Sequence, residues 1–163
     1  MKKYFIMIVI VIVLVSLAGA AFALMPPYSK EELEKESTNI IQGKVIGLAM
    51  IDKYKSKEND RKYEYTRYCA WMMVEKSYKG DLKKNDTILI KWKWRQILNK
   101  EPGFIDESYH NPAYYAGEIV KSYLKKYGDY YDSVWWNAKE NVNLKYAVMT
   151  MPKEPGQVVY PVK

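Results

Sequence analysis

The run Lys91-Trp92-Lys93-Trp94-Arg95 is the stretch of this 163-residue chain best equipped to hold a ligand. Indole rings stack on flat surfaces and cations hold backbone charge, a combination that polymer-binding strands use. In an extended strand, neighbouring side chains point to opposite faces, so the tryptophans and the cations separate. The plainer expectation is that Trp92 and Trp94 enter the core with Ile88 and Ile90, leaving Lys91, Lys93 and Arg95 as a solvated basic face. If an exposed ring joins those cations, the face becomes a binding surface.

Tyr109-His110-Asn111 holds the only histidine, with Asp106 and Glu107 close by. One imidazole beside two carboxylates falls short of a zinc set, and no spaced acidic loop suits calcium. No metal or other cofactor is expected, and His110 reads as a loop residue. As a lone acid–base group it is also the centre of the one hydrolase reading the sequence leaves open. The sequence contains no nucleophile elbow, metalloprotease helix, phosphate-binding loop or dinucleotide fingerprint, so no catalytic residue is assigned. Tyr114-Tyr115, Tyr130-Tyr131 and Trp135-Trp136 are adjacent pairs, each sending one ring inward and one outward. Outward rings stack on sugar faces or mark protein interfaces. Tyr115 and Trp136 therefore join Lys91, Lys93 and Arg95 as candidate binding residues.

The elements that must position these groups begin with an address. Lys2-Lys3, an apolar run from Tyr4 to Leu17 and the small-residue end Ala21-Phe22-Ala23 form the anatomy of a signal peptide over residues 1–23. An uncleaved anchor is the alternative, because residues 4–25 are long enough to span a bilayer. Both readings put the remainder outside the cytoplasm, secreted or tethered to the outer face of the cytoplasmic membrane. Nucleic acid is then an unexpected partner. Without Lys2 and Lys3, the chain's 26 basic residues become 24 against 19 acidic ones, a net +5. That balance suits anionic lipid heads, acidic wall polymers or plain solubility. Cys69 has no second cysteine to pair with and reads as a small buried hydrophobe.

Ser29 and Glu32 form a capping box, so residues 24–38 read as a linker and a short helix. Residues 39–51 read as a glycine-bent strand, 52–62 as a charged loop, and 63–76 as a strand with a bulge near Cys69–Met73. Residues 88–95 alternate, with Leu89 the exception, as a half-buried strand does. Asn111-Pro112 and Gly128 bracket a helical spacing that predicts a helix over 112–127. A strand over 118–124 is the competing assignment. Strands over 130–138 and 143–151 follow, and 153–163 is a Pro-rich tail. Residues 39–152 form one domain.

Three strands, a helix and two strands is the order of an OB-fold, so the expected fold is mainly β: a small five-stranded OB-like antiparallel barrel with one or two helices. The stretch GKVIGLAM…CAWMMVEKSYKGDLKKNDTILIKWKWR, within residues 40–95, resembles small exported prokaryotic domains of OB or TIMP-like type. Inhibitors of the TIMP family act through an N-terminal cysteine, which this chain lacks, so that activity is not carried over. The expected function is non-catalytic binding of a protein or a cell-envelope polymer. A hydrolase built from scattered residues, or a structural envelope protein with no discrete ligand, are the alternatives.

Overall fold

The computed structural model describes residues 26–58, 61–98 and 112–161. The segment expected to be a signal peptide or anchor, and the residues Asp106, Glu107 and His110, lie outside the described residues. Among the described residues the fold is mainly β. One short helix, α1 (Lys30–Glu36), precedes β1 (Asn39–Glu58), β2 (Arg61–Lys79), β3 (Thr87–Ile97), β4 (Ile119–Tyr127), β5 (Tyr130–Ser133), β6 (Lys139–Asn143) and β7 (Val158–Val159).

The capping box forms: Glu32 N–H donates to Ser29 Oγ, and Ser29 N–H donates to the Glu32 carboxylate at 2.7 Å. Leu33 then anchors α1 on Ile40, Tyr123 and Ala138. Ahead of the helix, the Tyr28 ring stacks on Trp135 with centroids 4.4 Å apart, while Asn137 bonds both the N–H and the C=O of Tyr28.

Five strands pair in a closed cycle, β1–β2–β3–β5–β4 and back to β1. All contacts in it are antiparallel except β3 with β5, which meet in parallel at Ile90 and Tyr131. β1 closes the ring because it is long: Asn39–Lys44 pair with β4 while the whole strand pairs with β2. Gly43 permits the tight approach, since a Cβ there would meet the Met72 side chain at 2.7 Å. Inside lie Val45, Leu48, Met72, Ile90, Val120 and Leu124, all fully buried.

The bulges fall differently from expectation. Ile46 and Ile51 are extra residues on β1, and Glu75 and Tyr78 on β2, and the two on β1 each invert the alternation of the residues after them. Val45, Leu48 and Met50 consequently share the core, whereas Ile51 is exposed. The strand continues well past that point. Residues 52–62, expected as a charged loop, are mostly strand: β1 runs to Glu58 and β2 starts at Arg61. Cross-strand pairs replace core burial as the support, with Tyr54 stacked on Tyr65, Lys53 paired with Glu64 and Arg67 with Asp52.

The helix over 112–127 is not formed. β4 occupies Ile119–Tyr127, as the competing strand assignment had it. Both its faces are covered, Val120 and Leu124 by the ring's core and Tyr123 by the α1 cluster, and that double burial imitates helical spacing. Gly128, read as a helix stop, is a positive-φ residue in the tight turn between β4 and β5. The last two expected strands also shift. β5 ends at Ser133, and β6 fills the polar stretch 139–143 that read as a turn. Val148 keeps one bridge to Ala116. The tail is not loose: Val158 and Val159 pair with Ala49 and Leu48.

Candidate functional site

β1, β2 and β3 continue past the end of the ring as a three-stranded arm. The row Met50–Tyr68–Trp92 closes the core, and Trp92 is buried between Tyr68 and Tyr114. The next row is Lys53–Thr66–Trp94, and the one after is Lys55–Glu64–Gln96. No opposing strand among the described residues covers these rows, so Trp94 is 43 % exposed instead of joining the core as expected.

On the other face of the arm, the cations of β3 do meet rings, supplied by other strands. Lys93 Nζ lies 4.6 Å over Tyr65 and Arg95 lies 4.9 Å over Tyr63, while Lys91 lies 4.4 Å over Tyr130. Tyr63 and Tyr65 pack with Ile97 in a small cluster of their own. The charged heads of Lys93 and Arg95 thus lie over aromatic rings, as cation–π pairs do. Tyr65 donates its hydroxyl proton to Glu58 at 2.7 Å. Arg67 bonds both oxygens of Asp52 and holds that carboxyl below its usual range.

Charge is concentrated here. Residues 52–67 hold Lys53, Lys55, Lys57, Arg61, Lys62 and Arg67, and β3 adds Lys91, Lys93 and Arg95, against Asp52, Glu58, Asp60 and Glu64. The net +5 of these segments equals the +5 of everything after Lys3, so the remainder of the chain is balanced.

The Trp94 face forms one side of a cleft of about 510 Å³. Residues 149–153 form the opposite wall, held in place where Gly156 N–H donates to Met50 O at 3.0 Å. Met50, Met149 and Met151 give the cleft apolar patches, and Lys53, Glu64, Thr66 and Gln96 give it polar ones.

The other two candidates sit on other elements. Tyr115 lies before β4, its N–H bonded to Glu118 Oε1 at 2.8 Å and its ring 5.3 Å from Lys139 Nζ. Trp136 is 39 % exposed in the β5–β6 connection, next to the Trp135 that stacks on Tyr28. The structure therefore gathers Lys91, Lys93 and Arg95 and leaves Tyr115 and Trp136 outside that group.

No family model, curated protein or solved structure matches this chain. The described residues contain no group of three His, Cys, Asp or Glu side chains that could hold a metal. The most buried ion pair described among these residues is structural. Glu118 is fully buried, both its oxygens 2.8 Å from Lys139 Nζ, which also donates to Ala113 O. Burial pushes the Glu118 carboxyl up and the Lys139 ammonium down. Cys69 is buried, and burial pushes its thiol up.

Sequence reasoning missed the arm as a unit because it read residues 52–62 as a loop. The signal was present: Lys53, Lys55 and Lys57 alternate with Tyr54 and Ser56 at the spacing of two in a strand.

Proposed function

We propose that this chain is an exported, non-catalytic binding domain whose basic arm holds an anionic polymer of the cell envelope. One observation supports the reading: residues 52–67 and β3 together sum to +5, the whole net charge of the chain after Lys3, and most of these residues lie on the arm. A solubility charge would be spread over the surface, whereas a concentrated one attracts and orients a polyanion.

The closed cycle of five strands, with β1 pairing on both sides and β3 parallel to β5, supports an OB-like barrel. In such barrels the face of the second and third strands takes linear polymers, and here those strands are lengthened into the arm. The basic start, apolar run and small-residue end of residues 1–23 support export. His110 lies outside the described residues, so the hydrolase alternative gains no geometry from them.

The test titrates the full chain with long-chain polyphosphate as a generic linear polyanion, at about 50 and 200 mM salt. Affinity should fall steeply between the two. The Lys93→Gln/Arg95→Gln chain should bind more weakly, with a salt slope reduced by roughly one per contact removed. Absent binding, or binding indifferent to salt and to both substitutions, would remove the proposal.

A further inference from the structure

We propose that the cation row of β3 is matched to a phosphodiester-linked polyol, a polymer that carries one phosphate for every three carbons of its backbone. This inference rests on the proposed polyanion binding; the spacing of the row selects which polyanion.

Lys91, Lys93 and Arg95 alternate along β3, so all three stand on one face of the sheet. Two residues of strand separate neighbours in the row by about 7 Å. Each head lies over a ring: Lys91 over Tyr130 at 4.4 Å, Lys93 over Tyr65 at 4.6 Å and Arg95 over Tyr63 at 4.9 Å. Tyr63 and Tyr65 are themselves buried, so these two supports are held in place. Heads restrained in this way keep their spacing and lose less freedom when a ligand arrives.

Among the described residues, none of the three enters an ion pair. Arg67 provides the contrast. It shares a cross-strand row with Lys93, but its guanidinium is committed to both oxygens of Asp52. The charge offered by Lys91, Lys93 and Arg95 therefore runs as a line along one strand. β5 meets β3 at Ile90, and no described strand pairs with that side of β3 from Lys91 onward.

A linear partner engages every head only if its own charges repeat at a similar interval. Neighbouring phosphorus atoms of a glycerol phosphate chain are six bonds apart, as are the ends of two backbone residues, and both reach about 7 Å. A five-carbon polyol adds two bonds and overshoots the row. Polyphosphate has two bonds in each repeat and crowds its charges. In a 1,4-linked hexuronan successive rings are rotated against one another, so neighbouring carboxylates do not face one row. A phosphodiester also keeps two free oxygens, which suit the planar fork of Arg95.

The test compares binding of the full chain, by calorimetry at one salt concentration, to glycerol phosphate, ribitol phosphate and polyphosphate chains of equal charge. The glycerol phosphate chain should bind about tenfold more tightly than the other two, the value of one charge-assisted contact. An abasic deoxyribose phosphate chain has the same number of bonds in its repeat and should match it. Lys93→Gln removes the middle of the row and should erase the preference. Lys84→Gln removes the same charge from the exposed β2–β3 connection and should leave the preference intact. A urea melt of each variant verifies that it folds.

Affinities that follow charge alone, whatever the repeat, would remove this inference and keep the polyanion reading. Failure of every chain to bind would remove both. A preference that survives Lys93→Gln would place the match away from the row and overturn the inference. So would oligothymidylate binding well above the abasic chain, which would make the row a nucleic-acid site. Lys93-dependent capture by phosphatidylglycerol vesicles, with no binding of the free glycerol phosphate chain, would make it a lipid-headgroup surface and overturn it too.

Discussion

Trp92 and Trp94 stand two residues apart on the same face of β3, yet the first is 4 % exposed and the second 43 %. The boundary between them is the end of the ring of strands. Trp92 stacks on Tyr68 and tilts against Tyr114, whereas Trp94 has Thr66 beside it and a cleft in front.

The two tryptophans should therefore respond differently to truncation. Trp92→Ala empties a core site and is expected to cost about 3–5 kcal/mol. Trp94→Ala removes a half-exposed ring and should change stability by about 0.5 kcal/mol. Urea denaturation of the two variants checks both values. A Trp94→Ala loss as large as that of Trp92→Ala would place the arm inside the core.

The same pair shows what a strand pattern carries. Alternation from Ile88 to Arg95, broken only at Leu89, identifies the strand and separates its two faces. It contains nothing about how far the opposing sheet reaches, and that distance decides whether an inward-pointing ring is buried. β4 imitates a helix for a related reason, since α1 covers Tyr123 and the ring covers Val120, and two buried faces erase the alternation. The capping box at Ser29 and Glu32 was legible because a cap depends on residues within one turn. Lys93 over Tyr65 and Arg95 over Tyr63 were not, because a contact across strands needs the register.

Glu118 and Lys139 are a buried pair that burial alone would disfavour on both sides. Removing one member should be worse than removing both. Glu118→Gln leaves the ammonium buried beside a neutral amide and is expected to cost about 3–5 kcal/mol. Adding Lys139→Met removes that stranded charge, so the double variant should be less destabilised than the sum of the singles. A double-mutant cycle by urea denaturation should give a coupling of about 1–3 kcal/mol. Strictly additive costs would mean that the two groups act independently.

Tyr114 supplies a prediction about pH. Its ring is fully buried, and its hydroxyl lies 2.9 Å from Ser133 Oγ and 3.3 Å from Ser122 Oγ. Burial pushes its phenol up to about 12, against the partial relief of those two hydroxyls. A tyrosine in the unfolded chain ionises near pH 10. The folded value is the higher one, so this residue's stabilising contribution is complete below about pH 10 and is lost as pH rises through about 12. Two units correspond to about 3 kcal/mol. Tyr114→Phe lacks this dependence, although at pH 8 it should cost about 1 kcal/mol for the hydrogen bonds it gives up. Wild type should therefore be the more stable chain at pH 8 and lose that lead toward pH 12. All other groups are common to both chains and cancel in the difference. Parallel urea melts at the two ends of the range measure it. A gap between the chains that does not move with pH would mean that the Tyr114 phenol ionises in the fold as readily as outside it.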